Sequence, residues 1–170
     1  MNDLTSCGSN LFTVNPRDLR CCDSILRVAS QPFVRNAGKI ADIVERLRQV
    51  LNDIPYGTGL SAIQIGIPLR IAIVNIKRSQ DSELLLLNPE VVSLTGRPTF
   101  RMEGCLSLPH FKGRVKRKDK ILVKTCNLDW QEITIRCTGY EAAVVQHELD
   151  HMDGLLYWDR MEVGLIPEPL

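Results

Sequence analysis

Two of the three histidines in this 170-residue chain, His147 and His151, lie four residues apart in the segment Thr138 to Gly154. Residues four apart on an α-helix lie on one face, one turn above each other, so a helix here lets both imidazoles converge on one metal ion. Glu148 stands beside them, where a carboxylate can take a proton from water that the metal activates. The segment therefore predicts a metal-binding helix with a general base.

The ends of this segment also favour a helix. Thr138 followed by Glu141 three residues later is a capping-box pattern, and Gly154 stands where a left-handed C-terminal cap belongs. Apolar residues recur in two rows along the segment, so we expect the helix to be largely buried. The alternative is a solvated helix whose two histidines fall four apart by chance.

Length and composition restrict the class of protein. With 44% hydrophobic residues, the chain is expected to form one domain over residues 1–170, with an irregular arm at 1–22 and a short non-helical tail at 161–170. A net charge of +1 gives no global attraction to nucleic acid or membranes. No apolar run approaches the roughly 20 residues that span a bilayer, and no secretory leader is recognisable. We therefore expect a cytoplasmic protein with no membrane partner and no specific nucleic-acid partner.

The six cysteines are expected to be free thiols, one of them a metal ligand, because disulfides are typical of small secreted domains. Cys126 and Cys137 alternate with apolar residues in strand-like runs and are interpreted as buried small hydrophobes. A bridge between these two across a hairpin is the open alternative.

Apolar periodicity predicts a second helix and several short strands. Spacings of three and four over Gly38–Asp53 predict an amphipathic N-terminal helix that is stopped by Pro55. No alternation of strand and helix is seen, so the predicted fold is α+β, with mainly antiparallel sheets around the central histidine-bearing helix. The predicted strands, of which the last two form a hairpin around Asp129 and Trp130, are Leu69–Ile76, Leu84–Asn88, Glu90–Leu94, Lys120–Leu128 and Glu132–Cys137.

Three further segments have weaker signals. Tyr56–Gly66 is punctuated by glycines but follows a helix and precedes a strand, which argues against a nucleotide-binding fingerprint and favours a tight turn or a close approach of backbone to a ligand. Asp23–Val34 and Leu155–Trp158 are expected to be extended. The basic run Lys112–Lys120 is interpreted as a solvated loop, with contact to ribosomal RNA or an acidic chain as the alternative.

Cys105 is the best candidate for the third protein ligand that a catalytic metal needs beside an open position. Gly104 precedes it and lets backbone come close, and Glu103 and Ser107 flank it with polar groups. A buried structural cysteine is the alternative.

Three motifs, in this order, together resemble the peptide deformylase family. They are G-T-G-L-S-A-I-Q at 57–64, E-G-C-L-S at 103–107 and Q-H-E-L-D-H at 146–151. The resemblance covers about residues 22 to 160. Three motifs in this order indicate that family far more specifically than the histidine pair alone does.

The resemblance implies a divalent metal held by Cys105, His147 and His151, most often ferrous iron, with zinc, nickel or cobalt able to substitute. It implies hydrolysis of the N-formyl group from the initiator methionine of new polypeptides, with Glu148 as the base. The side-chain amide of Gln64 and the backbone N–H of Leu106 would meet the developing oxyanion. A metallopeptidase of the H-E-x-x-H kind and a metal-binding paralogue without turnover are the alternatives. A purely structural metal site would have no need of Glu148 or Gln64.

The same resemblance locates the substrate. The extended formyl-methionine backbone would bind by strand addition near Thr58, Gly59 and Gly104. The residues expected to line the pocket for its side chain are Tyr140, Ala143 and Val144.

The chain departs from the family pattern in ways that bear on substrate and partners. Ser61 stands where the family mostly has alanine, and Ala143 where arginine or a larger apolar residue is frequent. The smaller Ala143 is expected to widen the side-chain pocket. The short C-terminus lacks the helix with which some bacterial members contact the ribosome, so only a transient ribosome contact by another route is left open.

Overall fold

The computed structural model describes residues 11–12, 24–35, 40–161 and 168–169. Their regular structure consists mainly of two α-helices and a six-stranded sheet. Helix α1 spans Ile40–Asn52 and α2 spans Gly139–Met152. All strand pairs are antiparallel, which confirms the predicted α+β class. The strands are β1 (Gly59–Ser61), β2 (Ile71–Val74), β3 (Leu84–Cys105), β4 (Leu108–Cys126), β5 (Glu132–Thr138) and β6 (Glu168–Pro169).

The strand order is β1-β2-β3-β4-β5, and β6 pairs with the start of β4 at Phe111 and Lys112. β3 and β4 form a long two-stranded ribbon that extends beyond the part of the sheet shared with β2 and β5. The predicted hairpin around Asp129 and Trp130 is confirmed, since Trp130 donates its N–H to the Asn127 carbonyl in the turn between β4 and β5. β5 leads directly into α2.

Two predictions about the ribbon were wrong. The strands predicted at Leu84–Asn88 and Glu90–Leu94 belong to the single strand β3, because register shifts around Pro89 keep it paired with β4. The run Lys112–Lys120 is the middle part of β4 and not a solvated loop. The backbone groups on one edge of this run pair with β3, and this pairing outweighs the polar composition of the run.

Both helices occur where they were predicted. The apolar face of α1, which includes Leu47 and Val50, packs with Leu60 of β1 and Ile73 of β2. The helix was predicted to begin within residues 36–39, which lie outside the described residues. α2 ends at Met152, and Gly154 follows with φ +73°, so close to Arg27 that a Cβ there would lie 2.6 Å from its carbonyl oxygen.

The predicted cap and two predicted extended segments need correction. The side chain of Thr138 makes no capping hydrogen bond. A short 3-10 helix occupies Ile25–Arg27 within the first extended segment. Another, at Tyr157–Arg160, takes the last two residues of the second, whereas Leu156 is extended as predicted.

Helix α2 lies at the centre of the molecule, as expected. Ten of its fourteen residues are buried, including the polar Gln146, Glu148, Asp150 and His151. Buried polar groups must find hydrogen-bond or ion partners, so the surroundings of these four side chains define the site described below.

The cysteine and terminal predictions are resolved in part. Cys105, Cys126 and Cys137 are free, so the alternative bridge is not formed; the other three cysteines lie outside the described residues. Most of the predicted arm at 1–22 and tail at 161–170 also lies outside them, although Phe12 donates its N–H to the Gln64 carbonyl at 2.7 Å. No helix in the described ranges is long and apolar enough to cross a membrane.

Candidate active site and metal centre

A pocket of about 440 Å³ opens between β1, the turn that joins β3 to β4, and helix α2. Its walls include all the residues predicted to bind substrate, namely Thr58, Gly59, Gly104, Tyr140, Ala143 and Val144. They also include the predicted catalytic residues Gln64, Leu106 and Glu148 and the predicted ligands Cys105 and His147. His151 is buried behind the wall, next to Cys105.

The three predicted metal ligands converge. The candidate ligand atoms of Cys105, His147 and His151 all lie within 4.8 Å of one another, and Cys105 Sγ is 3.3 Å from His151 Nε2. Ligand atoms around one tetrahedral ion, at bonds of about 2.0 to 2.3 Å, lie roughly 3.5 Å apart. The spacing and the donor set, two imidazoles and a thiol, therefore fit one divalent ion.

Glu103 orients the first histidine, a role that the sequence reasoning missed. Its carboxylate contacts His147 Nδ1 at 3.0 Å, which leaves Nε2 of that ring for the ion. Burial acts to raise the pKa of Glu103, but hydrogen bonds from Arg117 and His147 outweigh burial and lower this pKa to about 2. The sequence did contain a signal for this role, because Glu103 and Cys105 are two residues apart on a strand and so face the same side.

Arg117 connects this carboxylate to helix α2. It is 4% exposed, donates two bonds to Glu103 at 2.8 and 2.9 Å, and donates one to Asp150 Oδ2 at 2.6 Å. Arg160 also pairs with Asp150. The guanidinium of Arg117 thus holds the β3–β4 ribbon and α2 in one geometry around the ligands.

The two histidines differ in the direction of their pKa shifts. Burial, together with the positive charges at His147 and Arg117, lowers the pKa of His151 well below its ordinary value, which keeps it in the neutral form that binds metal. Burial also acts to lower the pKa of His147, but hydrogen bonds to Cys105 and Glu103 outweigh it and raise this pKa.

Glu148 lies in the pocket wall and is 3% exposed. Burial raises the pKa of its carboxyl group, against the opposing effects of the charge at His147 and the hydrogen bond from Ser61. The Ser61 hydroxyl donates to Glu148 Oε2 at 2.7 Å, a contact with no sequence signal beyond a serine at a position where alanine is usual in the family. Gly59 is needed on the other side, because a Cβ there would lie 2.5 Å from Glu148 Oε1.

The orientation of the Gln64 amide is defined by its neighbours. Its Oε1 accepts the N–H of Ser61 at 2.9 Å, so Nε2 points the other way, toward Ser107 Oγ at 3.0 Å and Cys105 Sγ at 3.8 Å. The segment predicted as a loop is ordered here as strand β1 and a 3-10 helix at Ala62–Ile65. That structure, rather than a simple turn, brings the amide beside the ligand cluster.

This arrangement suits hydrolysis of an amide. A buried carboxylate, an oriented amide N–H group and two of the three candidate metal ligands share one wall of a pocket whose other walls are largely apolar, and the third candidate ligand, His151, lies directly behind that wall. β1 is the end strand of the sheet order, so an extended chain can add alongside its unpaired edge.

Comparison with known proteins gives a consistent result. A family model described as polypeptide deformylase matches residues 19–164. A peptide deformylase of Natranaerobius thermophilus is 40% identical over 144 residues, which cover 81% of this chain and 91% of that protein. A peptide deformylase of Thermomicrobium roseum is 38% identical over 140 residues, or 75% of this chain and 79% of that protein.

Solved structures share the fold. The crystal structure of peptide deformylase from Thermotoga maritima matches with a TM-score of 0.76 and 29% identity, covering 82% of this chain and 92% of that chain. A peptide deformylase of Synechococcus elongatus in complex with actinonin matches with a TM-score of 0.80 over 96% of this chain and 84% of that chain. At 24% identity, the second likeness concerns the fold alone.

Proposed function

This chain belongs to the peptide deformylase family, and we propose that the pocket between β1, the β3–β4 turn and α2 is its active site. The family removes the formyl group from the N-terminal methionine of nascent polypeptides. The observation that carries the proposal is the convergence of Cys105, His147 and His151 within 4.8 Å, at a pocket wall that includes Cys105, His147, Glu148 and Gln64.

Cys105, His147 and His151 would hold one divalent ion. We propose Fe2+, with Zn2+, Ni2+ or Co2+ able to replace it, because a soft thiolate beside two imidazoles suits first-row ions from iron to zinc. When bound, the ion supplies Lewis acidity, which polarises the formyl carbonyl and lowers the pKa of water. Ferrous iron and the Cys105 thiolate are both open to oxidation, so we expect the iron form to lose activity in air.

Glu148 is the proposed general base. Its carboxylate takes a proton from the attacking water as the new C–O bond forms at the formyl carbon. Burial raises the pKa of this carboxyl group, which favours proton uptake. The same group then delivers the proton to the amide nitrogen as the C–N bond breaks, so that formate and a free N-terminal amine leave.

Gln64 and Leu106 are the proposed oxyanion donors. Negative charge develops on the formyl oxygen during attack, and oriented N–H donors aimed at that oxygen stabilise it by roughly 3 to 4 kcal/mol each in other hydrolases. The support for Gln64 is its orientation, because the bond from the Ser61 N–H leaves Nε2 on the side of Cys105. The backbone N–H of Leu106 is proposed because this residue directly follows Cys105 and lines the pocket.

The substrate is proposed to bind as an added strand. The backbone of the formyl-methionyl chain would lie along Thr58, Gly59 and Gly104, at the free edge of β1 and the end of β3. Its methionine side chain would enter between Tyr140, Ala143 and Val144 on α2. Ala143 is small, so we expect the chain to accept apolar side chains wider than methionine.

The proposed cellular location and partners follow from the substrate. Formylated nascent chains are made at ribosomes, so we propose a cytoplasmic location and a transient ribosome contact. Neither a membrane partner nor a sequence-specific nucleic acid is part of this function.

Formate release from a short formyl-methionyl peptide tests the proposal. The protein would be loaded anaerobically, in separate samples, with iron, nickel or zinc, and bound metal would be counted. Removal of the base in Glu148→Ala is expected to lower kcat by about 10²- to 10⁴-fold while one ion per chain is retained.

Two results would reject parts of the proposal. Wild-type-like turnover in Glu148→Ala would exclude the mechanism, whereas no release with any metal, despite one bound ion per chain, would exclude the activity. Glu45→Ala, which removes an exposed carboxylate from α1, serves as the matched control and should leave turnover unchanged.

A further inference from the structure

Four cations lie in a row on the outward face of β4. They are Arg114, Lys116, Lys118 and Lys120, and all four side chains are exposed. Alternate residues of a strand face the same side and are about 6.7 Å apart, so this basic row is about 20 Å long. Of the residues between them, Val115 and Arg117 are buried, and the half-exposed Asp119 pairs with Arg101.

The basic row has no carboxylate opposite it. The residues of β3 in register with its members are Met102, Phe100, Pro98 and Thr95. Within the described part of the chain, none of the four cations forms an ion pair, whereas Lys124, farther along the same face, pairs with Glu132 at 2.7 Å. The charge of the row is therefore local and unneutralised, in a chain whose net charge is only +1.

An aromatic ring lies within the row. The Arg114 guanidinium is 4.3 Å from the ring centroid of Phe100, and the Lys116 amine is 5.6 Å from it. Met102, which is opposite Arg114, is 51% exposed. Nucleic-acid bases stack on aromatic rings and on guanidinium planes, so this cluster offers a stacking platform beside the cations.

We propose that the basic row and Phe100 form a binding surface for single-stranded RNA. Lys116, Lys118 and Lys120 bind successive phosphates, and a base stacks at Phe100 and Arg114. The platform favours a nucleic acid over an acidic peptide or a lipid surface, since those partners supply charge but no base. Deformylation needs no RNA, so this binding activity goes beyond the proposed function.

The surface adjoins the active site without entering it. Met102 belongs both to the stacking platform and to the rim of the pocket, whereas Lys116, Lys118 and Phe100 do not line the pocket. RNA bound to the row therefore leaves the pocket open beside it. The binding would be independent of sequence, because the row offers phosphate contacts and stacking but no set of base-edge donors.

Binding of the metal-loaded full chain to a short, labelled single-stranded RNA of mixed sequence tests the proposal by fluorescence anisotropy over a range of salt. Release of about 0.7 counterion for each of the three phosphates bound by the lysines gives an expected slope of about −2 for log affinity against log salt. Lys116→Gln with Lys118→Gln should weaken binding roughly tenfold at low salt and make the slope shallower by about 1.4.

A matched control separates the row from net charge. Arg35→Gln with Lys77→Gln removes two exposed cations elsewhere and changes the net charge equally, so its affinity should stay within about twofold of the wild type. Phe100→Leu keeps an apolar side chain but removes the π-face, and should weaken binding about fivefold or more with an unchanged salt slope. Turnover of the short formyl peptide should be unchanged in the double lysine variant, which verifies its fold.

Four outcomes would overturn the proposal. They are no saturable RNA binding at low salt, equal weakening in the matched control, wild-type affinity in Phe100→Leu, and equally tight binding of a polyglutamate peptide or of phosphatidylserine vesicles. The last result would assign the row to a different class of partner.

Discussion

Strand β4 carries cations on both of its faces, and the two faces use them in opposite ways. Arg117 points inward, is 4% exposed and pairs with Glu103 and Asp150. Its neighbours Lys116 and Lys118 point outward and form no ion pair with any described residue. A buried charge must be paired, because its desolvation cost is otherwise uncompensated, whereas an exposed charge remains available to a partner. Position on the pleat, rather than residue type, therefore decides the role of each cation.

The largest effect is expected from removing the inward cation. Arg117→Met removes the buried guanidinium from Glu103 and leaves Asp150 with the more exposed Arg160 alone, so we expect a loss of about 3 to 5 kcal/mol in the free energy of unfolding. Urea unfolding in the presence of a chelator measures this loss without a contribution from metal. Lys116→Met, the same change one residue away on the outward face, is the matched control. A cost below about 1 kcal/mol for Arg117→Met would contradict the contrast between the faces.

Removal of the Glu103 carboxylate, which Arg117 binds, should lower the affinity of the site for metal. Glu103→Gln keeps the size of the side chain but weakens the contact that orients His147, so we expect metal affinity to fall about 10- to 100-fold. Competition with a chelator of known affinity measures the change. Glu132→Gln, on the outer surface, should leave metal affinity unchanged, and an equal loss in both variants would show that the orienting contact is unimportant.

A smaller effect, on kcat, is expected from a change beside the proposed general base Glu148. Ser61→Ala removes the hydroxyl that donates to Glu148 Oε2 at 2.7 Å, so the carboxylate gains freedom to rotate away from the water that it is proposed to deprotonate. We expect kcat to fall about tenfold, or about 1.4 kcal/mol, with KM unchanged. Steady-state kinetics of the iron-loaded enzyme separate the two constants. An unchanged kcat would show that Glu148 is positioned without the hydroxyl.

The smallest effect is expected from a single outward cation. Lys118→Gln removes an exposed charge that pairs with no described residue, so stability should change by less than about 0.5 kcal/mol and peptide turnover should be unchanged. Thermal unfolding and formate release are the measurements. A loss above about 1 kcal/mol would mean that the outward face also supports the fold.

The contrast between the faces also explains why the ribbon was not predicted. Inward positions of a half-buried strand are usually apolar, and this alternation is the signal by which a strand is recognised. In Lys112–Lys120 the buried positions include the charged Arg117, and the next residue on that face, Asp119, is charged and half-exposed, so the alternation is hidden and the run resembles a solvated loop. The partners that make an inward arginine tolerable, Glu103 and Asp150, lie 14 and 33 residues away.

Interactions within a few residues were determined by the sequence itself. The four-residue spacing of His147 and His151 places both imidazoles on one side of α2, and apolar spacing predicted α1 in the same way, because a helix relates such residues through its own backbone. The three ordered motifs also indicated which side chains converge at the proposed site.

Only the tertiary structure decided how those side chains meet. Ser61 reaches Glu148 across 87 residues, and Glu103 reaches His147 across 44. Contacts of this kind depend on the packing of α2 against β1 and the ribbon, and no local preference of the chain encodes that packing. The backbone pairing of β3 with β4 likewise decided which cations are buried beside the metal ligands and which face outward.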